Sequence, residues 1–528
     1  MATGVQFPSR GSVGVPGDHG RRVVLLVTCL ALATVVSAVA SLNVAIPSIA
    51  RDTQASQTEL SWVIDAYALV FAALLLPAGA LGDRWGRRKA LVLGLVVFGV
   101  AAVSAMTRAD AHWLIAMRAV LGIGAALVMP ATLSTITSTF PAAERAKAVG
   151  TWAGVAGASA ILGLLTSGLL LEVWSWRAVF GLNVVLAAVA IVGTLRVVPE
   201  SADPDAAHLD CVGALISFVG LGALVYSIIE APTNGWSSAR TLTGVALGLV
   251  VLVGFVLWEL GRREPLLDPR LFRHRGFAAG TLSILLQFFA FFGFIFLVLQ
   301  YLQLVLGDSP LVAALSLVPM AAGMMPSARV LAPRLVARAG AGPASGLGLL
   351  LAALALLWLS RLGADASHWP LLVGLVPLGA GMGLAMTPAT AAITDALPRE
   401  KQGIGSAVND LARELGGALG IAVLGSVLQS VYRSNLELGG LSGPAADQAR
   451  ASLASALHLG PQTAASAQLA FMEGTQTAFL VGCGVLVLAA LAVALLHPRP
   501  GARAAVRPSS GSVAGSSAPT VRRPDRSG

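Results

Sequence analysis

The sequence predicts an all-α, polytopic integral membrane protein with fourteen transmembrane helices, and three observations predict it. Apolar residues make up 56% of 528, enough, at about 20 per span, for at most roughly 14 or 15 crossings. Charged residues make up 12%, roughly half the soluble-domain share of about 25% and too few to cover a soluble surface. The apolar residues also fall into runs of spanning length, separated by short basic or turn-forming connections.

In order, the helices are expected at about 23–46, 60–82, 90–107, 112–137, 149–171 and 178–196, then at about 211–230 and 241–260. Six more follow at about 277–304, 311–333, 344–360, 370–392, 403–431 and 474–496. The first follows Arg21 and Arg22 as a signal peptide would, but it is too long and similar runs follow it. Basic residues mark every second connection: Arg84, Arg87, Arg88 and Lys89 after the second helix, Arg145 and Lys147 after the fourth, Arg196 after the sixth. The pattern continues with the arginines from Arg262 to Arg275, then Arg329, Arg334 and Arg338, then Arg399 and Lys401, and finally the arginines from Arg499 to Arg526. The alternate connections hold few: Arg51, Arg108, Arg177, Arg240 and Arg361 singly, and Arg433 and Arg450 in the long connection after helix 13. A split of about 26 to 7 places both termini in the cytoplasm, and the expected location is the inner (plasma) membrane.

The function classes narrow accordingly. Cys29, Cys211 and Cys483 lie in separate apolar runs with no paired spacing, and read as small core hydrophobes. The net charge of +9 would suggest nucleic acid only if the basic residues lined one face of a soluble domain. They are scattered, so no nucleic-acid partner is expected. No nucleophile, metal cluster or phosphate loop has suitable spacing, so neither an enzyme nor a cofactor is expected. The tail 498–528, rich in Arg, Pro, Ser and Gly, is expected to be disordered. The connection over about 432–473 is expected on the outer side, with a short surface helix.

A charge at the bilayer centre costs about 2.5–3.5 kcal/mol even on a lenient scale, so each one needs a partner or a purpose. Asp65, in LSWVIDAYALVF, and Arg118, in LIAMRAVLGIGAA, enter from the same side at similar depth. An Asp65–Arg118 pair that breaks in a conformational change is the switch a proton-coupled carrier requires; a permanent pair would only fix packing. Helix 13 carries Asn409, Asp410, Arg413 and Glu414, with Asp410 and Glu414 on one face. This cluster serves either substrate and proton handling or a cytoplasmic-side ion pair. Asn43 is a candidate cavity contact or a helix-helix hydrogen bond. The run FFAFFGFIFL, Phe288 to Leu297, either lines a pocket for flat lipophilic ligands or, as such stripes more often do, faces lipid.

The connection after the second helix reads GALGDRWGRRKAL, Gly79 to Leu91. Gly79, Gly82 and Gly86 permit a tight turn, and Asp83 can pair with arginines or cap a helix end. This loop resembles the signature loop of the major facilitator superfamily, and the resemblance implies a cytoplasmic gate made of Gly79, Gly82, Asp83, Arg84, Gly86, Arg87 and Arg88. WVIDAYAL, SWRAVFGLNV and fourteen spans with helices 7 and 8 as an insert resemble, more closely, the fourteen-helix drug:proton antiporters over about residues 20–500. The chain departs from that pattern at Ala38, where many relatives are acidic, at Leu121, where the motif has Gln, and at Leu164, where it has Pro.

The resemblance implies two six-helix bundles, 23–198 and 277–497, around a two-helix insert and central loop at 199–276, with a cytoplasmic segment at 1–22. The run GMMPSARVLAPRLVARAG echoes the signature loop in position and supports that repeat, which would enclose a cavity near the midplane. It also implies Asp65 as the coupling carboxylate and Arg118 as its modulator. The implied function is proton-driven export of small amphipathic drugs or antibiotics by alternating access, with a small-molecule substrate, protons and the lipid bilayer as partners. An importer or facilitator of a metabolite in the same fold, or a non-transporting receptor, are the alternatives.

Overall fold

A computed structural model describes residues 18–202, 210–263, 265–363, 368–397 and 402–496, and every element among them is helical. Fourteen helices are long and apolar enough to cross a membrane. They are α1 (Asp18–Thr53), α2 (Gln57–Trp85), α3 (Arg87–Ala105), α4 (Ala111–Thr139), α5 (Lys147–Val173) and α6 (Arg177–Val197), then α7 (Cys211–Asn234) and α8 (Ala239–Leu260). After these come α9 (Arg275–Val305), α10 (Pro310–Ala339), α11 (Ala341–Leu359), α12 (Trp369–Asp395), α13 (Ala407–Asn435) and α14 (Pro461–Leu496). The chain is therefore a multi-pass membrane protein. The expected basic tail, the segment before Asp18, and Arg399 and Lys401 lie outside the described residues.

Capping chemistry sets the helix starts. Ser56 Oγ accepts from Glu59 N (3.2 Å) while Glu59 Oε2 accepts from Ser56 N (2.8 Å), a reciprocal capping box that starts α2. Asp110 opens α4 by accepting from Trp113 N at 2.7 Å, and Ser238 opens α8 by accepting from Thr241 N at 3.2 Å. Hydropathy alone misses the polar ends: α14 starts at Pro461 rather than near 474, because its first turns are helical but too polar to read as a span. The connection before it holds two short helices, Pro444–Ala451 and Leu453–Ala456. Two π-helical turns interrupt the C-terminal spans, Tyr301–Val305 in α9 and Ser327–Leu331 in α10; the second follows Pro326, which has no N–H to give.

The helix pairing of α1–α6 recurs in α9–α14. In the first half α1 packs on α4, α5 and α6, α2 on α4, and α3 on α4 and α6; in the second α9 packs on α12, α13 and α14, α10 on α12, and α11 on α12 and α14. A close backbone approach repeats too. A Cβ on Gly94 of α3 would sit 2.8 Å from Gly124 O of α4, and one on Gly348 of α11 would sit 2.7 Å from Gly381 O of α12. Without a hydrophobic driving force between helices in lipid, such backbone approach is what holds them together.

The number of spans is even, so Asp18 and Leu496 lie at one end with the α2–α3 connection, here called the basal end. At the opposite, distal end the halves are joined. Gln303 Nε2 of α9 donates to Val44 O of α1 (3.0 Å), Leu311 N of α10 donates to Glu172 Oε1 of α5 (3.1 Å), and Ser455 Oγ donates to Gln54 Oε1 (3.4 Å). A Cβ on Gly168 of α5 would stand 2.9 Å from Leu311 Cα, so these helices touch by backbone. Toward the basal end α5 instead has open space beside Gly150, Gly154 and Gly157.

Candidate functional site

The structure does not bring Asp65 and Arg118 together as a pair. Arg118 is 1% exposed; its Nε donates to Val63 O (2.9 Å) and its Cζ lies 4.3 Å from the centroid of the Tyr67 ring. Val63 and Tyr67, four apart, form the face of α2 that meets α4, and Asp65 lies about 200° round from each. Asp65 belongs to the stripe Ser61–Asp65–Leu69. A Cβ on Gly425 of α13 would be 3.0 Å from Ser61 Oγ, while Leu69 clusters with Leu221, Val225 and Ile229 of α7 and Ala422 of α13. Asp65 is therefore on the seam between the two halves, fully buried, and neither of its oxygens has a hydrogen-bond partner among the described residues.

Tyr67 is the site residue that the sequence did not single out. Its ring carries the Arg118 guanidinium, and its hydroxyl is buried without a partner among the described residues, within electrostatic reach of Glu414 and Arg413. A tyrosine inside an apolar run, two residues after a carboxylate, was the available signal, because a buried phenol usually seeks a partner.

On α13 the expected cluster is formed. Arg413 reaches both carboxylates, Asp410 through Nη2 (3.5 Å) and Glu414 through Nε (3.6 Å). Asn409 Oδ1 accepts from Thr390 Oγ1 of α12 at 3.0 Å. Glu414 precedes Gly425 by eleven residues, three helical turns, and so shares the stripe that faces α2. The carboxylate side chains are 15% (Asp410) and 7% (Glu414) exposed, so this is an interior cluster.

The phenylalanines beside it turn inward rather than to lipid. Phe288, Phe291 and Phe292 pack with ring centroids 5.3–5.9 Å apart, and Phe288 lies 5.9 Å from Arg413 Cζ. Gly417 admits the Phe292 ring: a Cβ there would be 2.8 Å from its Cδ2. The reason is the bare surface of α13, where Gly416, Gly417 and Gly420 face α9 and draw its aromatic side in. Asn43 makes a hydrogen bond within its own helix, Nδ2 to Val39 O (3.0 Å), and its Oδ1 is buried without a partner among the described residues. Next to it, Val44 O takes the bond from Gln303, which the π-helical turn of α9 carries to the contact between the halves.

The α2–α3 loop is clasped by the end of α6. Asp83 Oδ1 pairs with Arg87 Nε (2.8 Å), Arg88 Nη2 donates to Leu195 O (2.7 Å), Arg88 N to Glu200 Oε1 (3.2 Å) and Arg87 N to Ser201 O (2.9 Å). Gly86 has φ +128° and a Cβ there would be 2.6 Å from Glu200 Oε1, so glycine is needed for conformation and for space. Gly79 faces Pro130 and Gly82 faces Ala90, each leaving 3.2–3.3 Å for a Cβ. Arg84 lies in the last turn of α2. Among the described residues no group of three or more metal-ligating side chains gathers.

The family model of the Major Facilitator Superfamily matches residues 25–421. The chain belongs to the major facilitator superfamily. It is accordingly a transporter of small molecules embedded in a membrane, not an enzyme. Among curated members of the superfamily it is similar to the multidrug resistance protein Stp of Mycobacterium tuberculosis, 34% identical over 75% of this chain and 73% of that one. It is 35% identical to the multidrug efflux pump LfrA of Mycolicibacterium smegmatis over 85% of this chain and 90% of that one. It is 32% identical to the tetracenomycin C resistance and export protein of Streptomyces glaucescens over 80% and 78%. The fold matches that of a bacterial homologue of the human lysosomal transporter Spinster in an inward-facing conformation, with TM-score 0.63 and 19% identity, covering 91% of this chain and 98% of that one. It also matches the POT family transporter PepTSo, with TM-score 0.62 and 14% identity over 90% and 97%.

The departures from the superfamily's antiporter pattern all sit in packing. Ala38 and Leu121 are buried. Leu164 lines a small cavity between α5 and α10 with Leu165, Leu317 and Met320, and α5 runs on through it without a break. Gly163 remains a contact point: a Cβ there would be 2.8 Å from Ser37 O of α1.

Proposed function

We propose that the protein is a proton-driven exporter of small amphipathic compounds, drugs or antibiotics, working by alternating access in the bacterial inner membrane with its basal end in the cytoplasm. The observation that carries the reading is the position of Asp65: a carboxyl with no partner among the described residues, buried in the contact that must part when the distal end opens. Burying a carboxylate charged and unpaired is far more costly than burying it neutral. Closing the distal end therefore selects the protonated group; a cation binding in the basal-open state offsets the carboxylate charge so that the proton leaves to the cytoplasm, and opening the distal end lets Asp65 take another from the outside. Arg118, held on the opposite face by Tyr67 and Val63, acts by fixing α2 against α4 rather than by pairing with Asp65.

In this reading the basal-open state takes substrate from the cytoplasm. Its seat is the α13 cluster with the phenylalanines of α9, about 10 Å basal of Asp65 along the facing stripes at about 1.5 Å per residue. Asp410 and Glu414 outnumber Arg413, and an aromatic wall beside a net negative charge suits an amphipathic cation. The names of the curated relatives, as resistance, efflux and export proteins, support export. A proton moving inward through the potential yields about 2.3 kcal/mol per 100 mV; against a monovalent cation exchanged one for one that electrical term cancels, so the pH gradient drives the exchange. The α2–α3 loop, tied to α6, is the part of the cytoplasmic gate belonging to the first half.

The test is efflux of a lipophilic cationic dye from energised cells, with and without a protonophore, beside Asp65→Asn. Protonophore-sensitive efflux that vanishes in the variant supports the reading; full activity of well-expressed Asp65→Asn sinks the assignment.

A further inference from the structure

Among the described residues, the insert is hydrogen-bonded to one half of the molecule and meets the other through apolar contacts. Its hydrogen bonds to the core run to α13: Ser426 Oγ donates to Ile228 O (2.7 Å), Trp236 Nε1 to Ser430 Oγ (2.9 Å), and Arg433 Nη1 to Thr233 Oγ1 (3.3 Å). Its contacts with α2 are apolar: Leu69 against Leu221 and Val225, and the Trp62 and Tyr226 rings, tilted, with centroids 6.0 Å apart. The insert is itself one unit. A Cβ on Gly248 of α8 would be 2.8 Å from Leu224 N of α7, and at the basal end Asp210 accepts from Trp258 Nε1 (2.8 Å) and pairs with Arg262 Nε (3.5 Å). Only about a tenth of the apolar window of α8 is buried, so lipid surrounds its other sides.

We infer that α7 and α8 travel with α9–α14 as a single rigid body when the halves rock, and that the α2–α7 contact is the one that slides. The two kinds of contact differ physically. The Trp236 and Arg433 bonds are exposed at the distal end, but Ser426–Ile228 lies within the span, where a broken bond leaves two polar groups with no water to replace each other. Leucine side chains pressed on leucine in lipid exchange neighbours at little cost, since the surrounding tails are as apolar as they are. The α7–α13 contact therefore resists separation, and the α2–α7 contact permits movement. A consequence follows for the seam: because α7 lies over α2 and α13 together, the insert keeps the stripe with Asp65 covered from lipid as the distal end opens. The rigid-body assignment does not depend on Asp65 carrying the proton.

The two states needed for a test can be set by Gly168. A Cβ there would already meet Leu311 Cα at 2.9 Å, so Gly168→Trp forces the distal α5–α10 contact apart. Spin labels would be placed in the full-length protein, with Cys29, Cys211 and Cys483 replaced by alanine, at exposed distal positions: Ser237 between α7 and α8, Ser434 in α13 and His112 in α4. Pulsed electron spin resonance would then compare the native and Gly168→Trp proteins in nanodiscs, with the His112–Ser434 distance reporting that the halves have moved. The expected result is an unchanged Ser237–Ser434 distribution and a shifted Ser237–His112 one. An unchanged Ser237–His112 distance with a shifted Ser237–Ser434 distance overturns the inference, because the insert would then belong to the first half.

Discussion

Arg118 and Tyr67 form a buried cation–π pair, with the guanidinium carbon 4.3 Å from the ring centroid and Nε bonded to Val63 O. This pair, on one face of α2, leaves Asp65 alone on the other. The arrangement separates two tasks that a direct Asp65–Arg118 ion pair would have merged: holding α2 to α4 within the first half, and sealing α2 to α13 between the halves.

Replacing Tyr67 by leucine removes the ring face over the guanidinium while leaving it buried. A desolvated cation–π contact contributes about 2 kcal/mol, so Tyr67→Leu should lower the melting temperature in detergent by several degrees. Tyr67→Phe keeps the ring and should melt close to the native protein. Equal losses in both variants would show that the hydroxyl, not the ring, matters.

The paired glycines predict symmetric damage. Gly94→Leu at α3–α4 and Gly381→Leu at α11–α12 each push a side chain into a backbone less than 3 Å from the Cβ position. Overpacking typically costs about 1–3 kcal/mol. Both variants should fold poorly, read as loss of the monodisperse peak in size-exclusion chromatography, whereas Gly150→Leu, with open space around it, should not.

Gly86 sets the shape of the α2–α3 loop. At φ +128°, with Glu200 Oε1 2.6 Å from a Cβ position, Gly86→Ala should cost about 1 kcal/mol or more. Adding Glu200→Ala should relieve the clash but not the backbone strain, so the double variant should recover only part of the melting temperature. Full recovery would assign the glycine to space alone.

Asp210 caps α7 outside the spans. Burial raises its carboxyl, but the Gly213 amide, the Trp258 indole and Arg262 outweigh that and hold it below the usual aspartate range. A carboxyl depressed in the folded state adds stability that is present above the unfolded value and lost as pH falls through the folded one. The native protein should therefore out-melt Asp210→Asn at neutral pH, and the difference should shrink on acidification below about pH 4. A pH-independent gap would remove the ionised carboxylate from the account.

The spans were legible because runs of about 20 apolar residues have no other home, and the basic loop at Arg84 to Lys89 named the family's signature in advance. The helix ends were less so: Pro461 begins α14 in a stretch rich in Ala, Gln and Ser, which hydropathy reads as loop. In the site, depth was readable but azimuth was not. Asp65 and Arg118 do enter their helices at similar depth, yet only packing decides which face of α2 meets α4, and Val63 and Tyr67 won that face. The same gap left the phenylalanines of α9 undecided until the glycines of α13 showed which side they turn to. The α13 cluster, by contrast, followed from i, i+3 and i, i+4 spacing within one helix and formed as the spacing implied.

The central claim is that substrate and proton move in opposite directions through a cycle that uses Asp65. Its most direct test is a proteoliposome with the purified protein and a pH-sensitive dye inside, with a lipophilic cation added outside in the absence of any other driving force. The account predicts that adding substrate drives proton movement in the native protein and none in Asp65→Asn, although the variant still binds the cation. Substrate flux without proton movement in the native protein, or undiminished proton movement in Asp65→Asn, would contradict it.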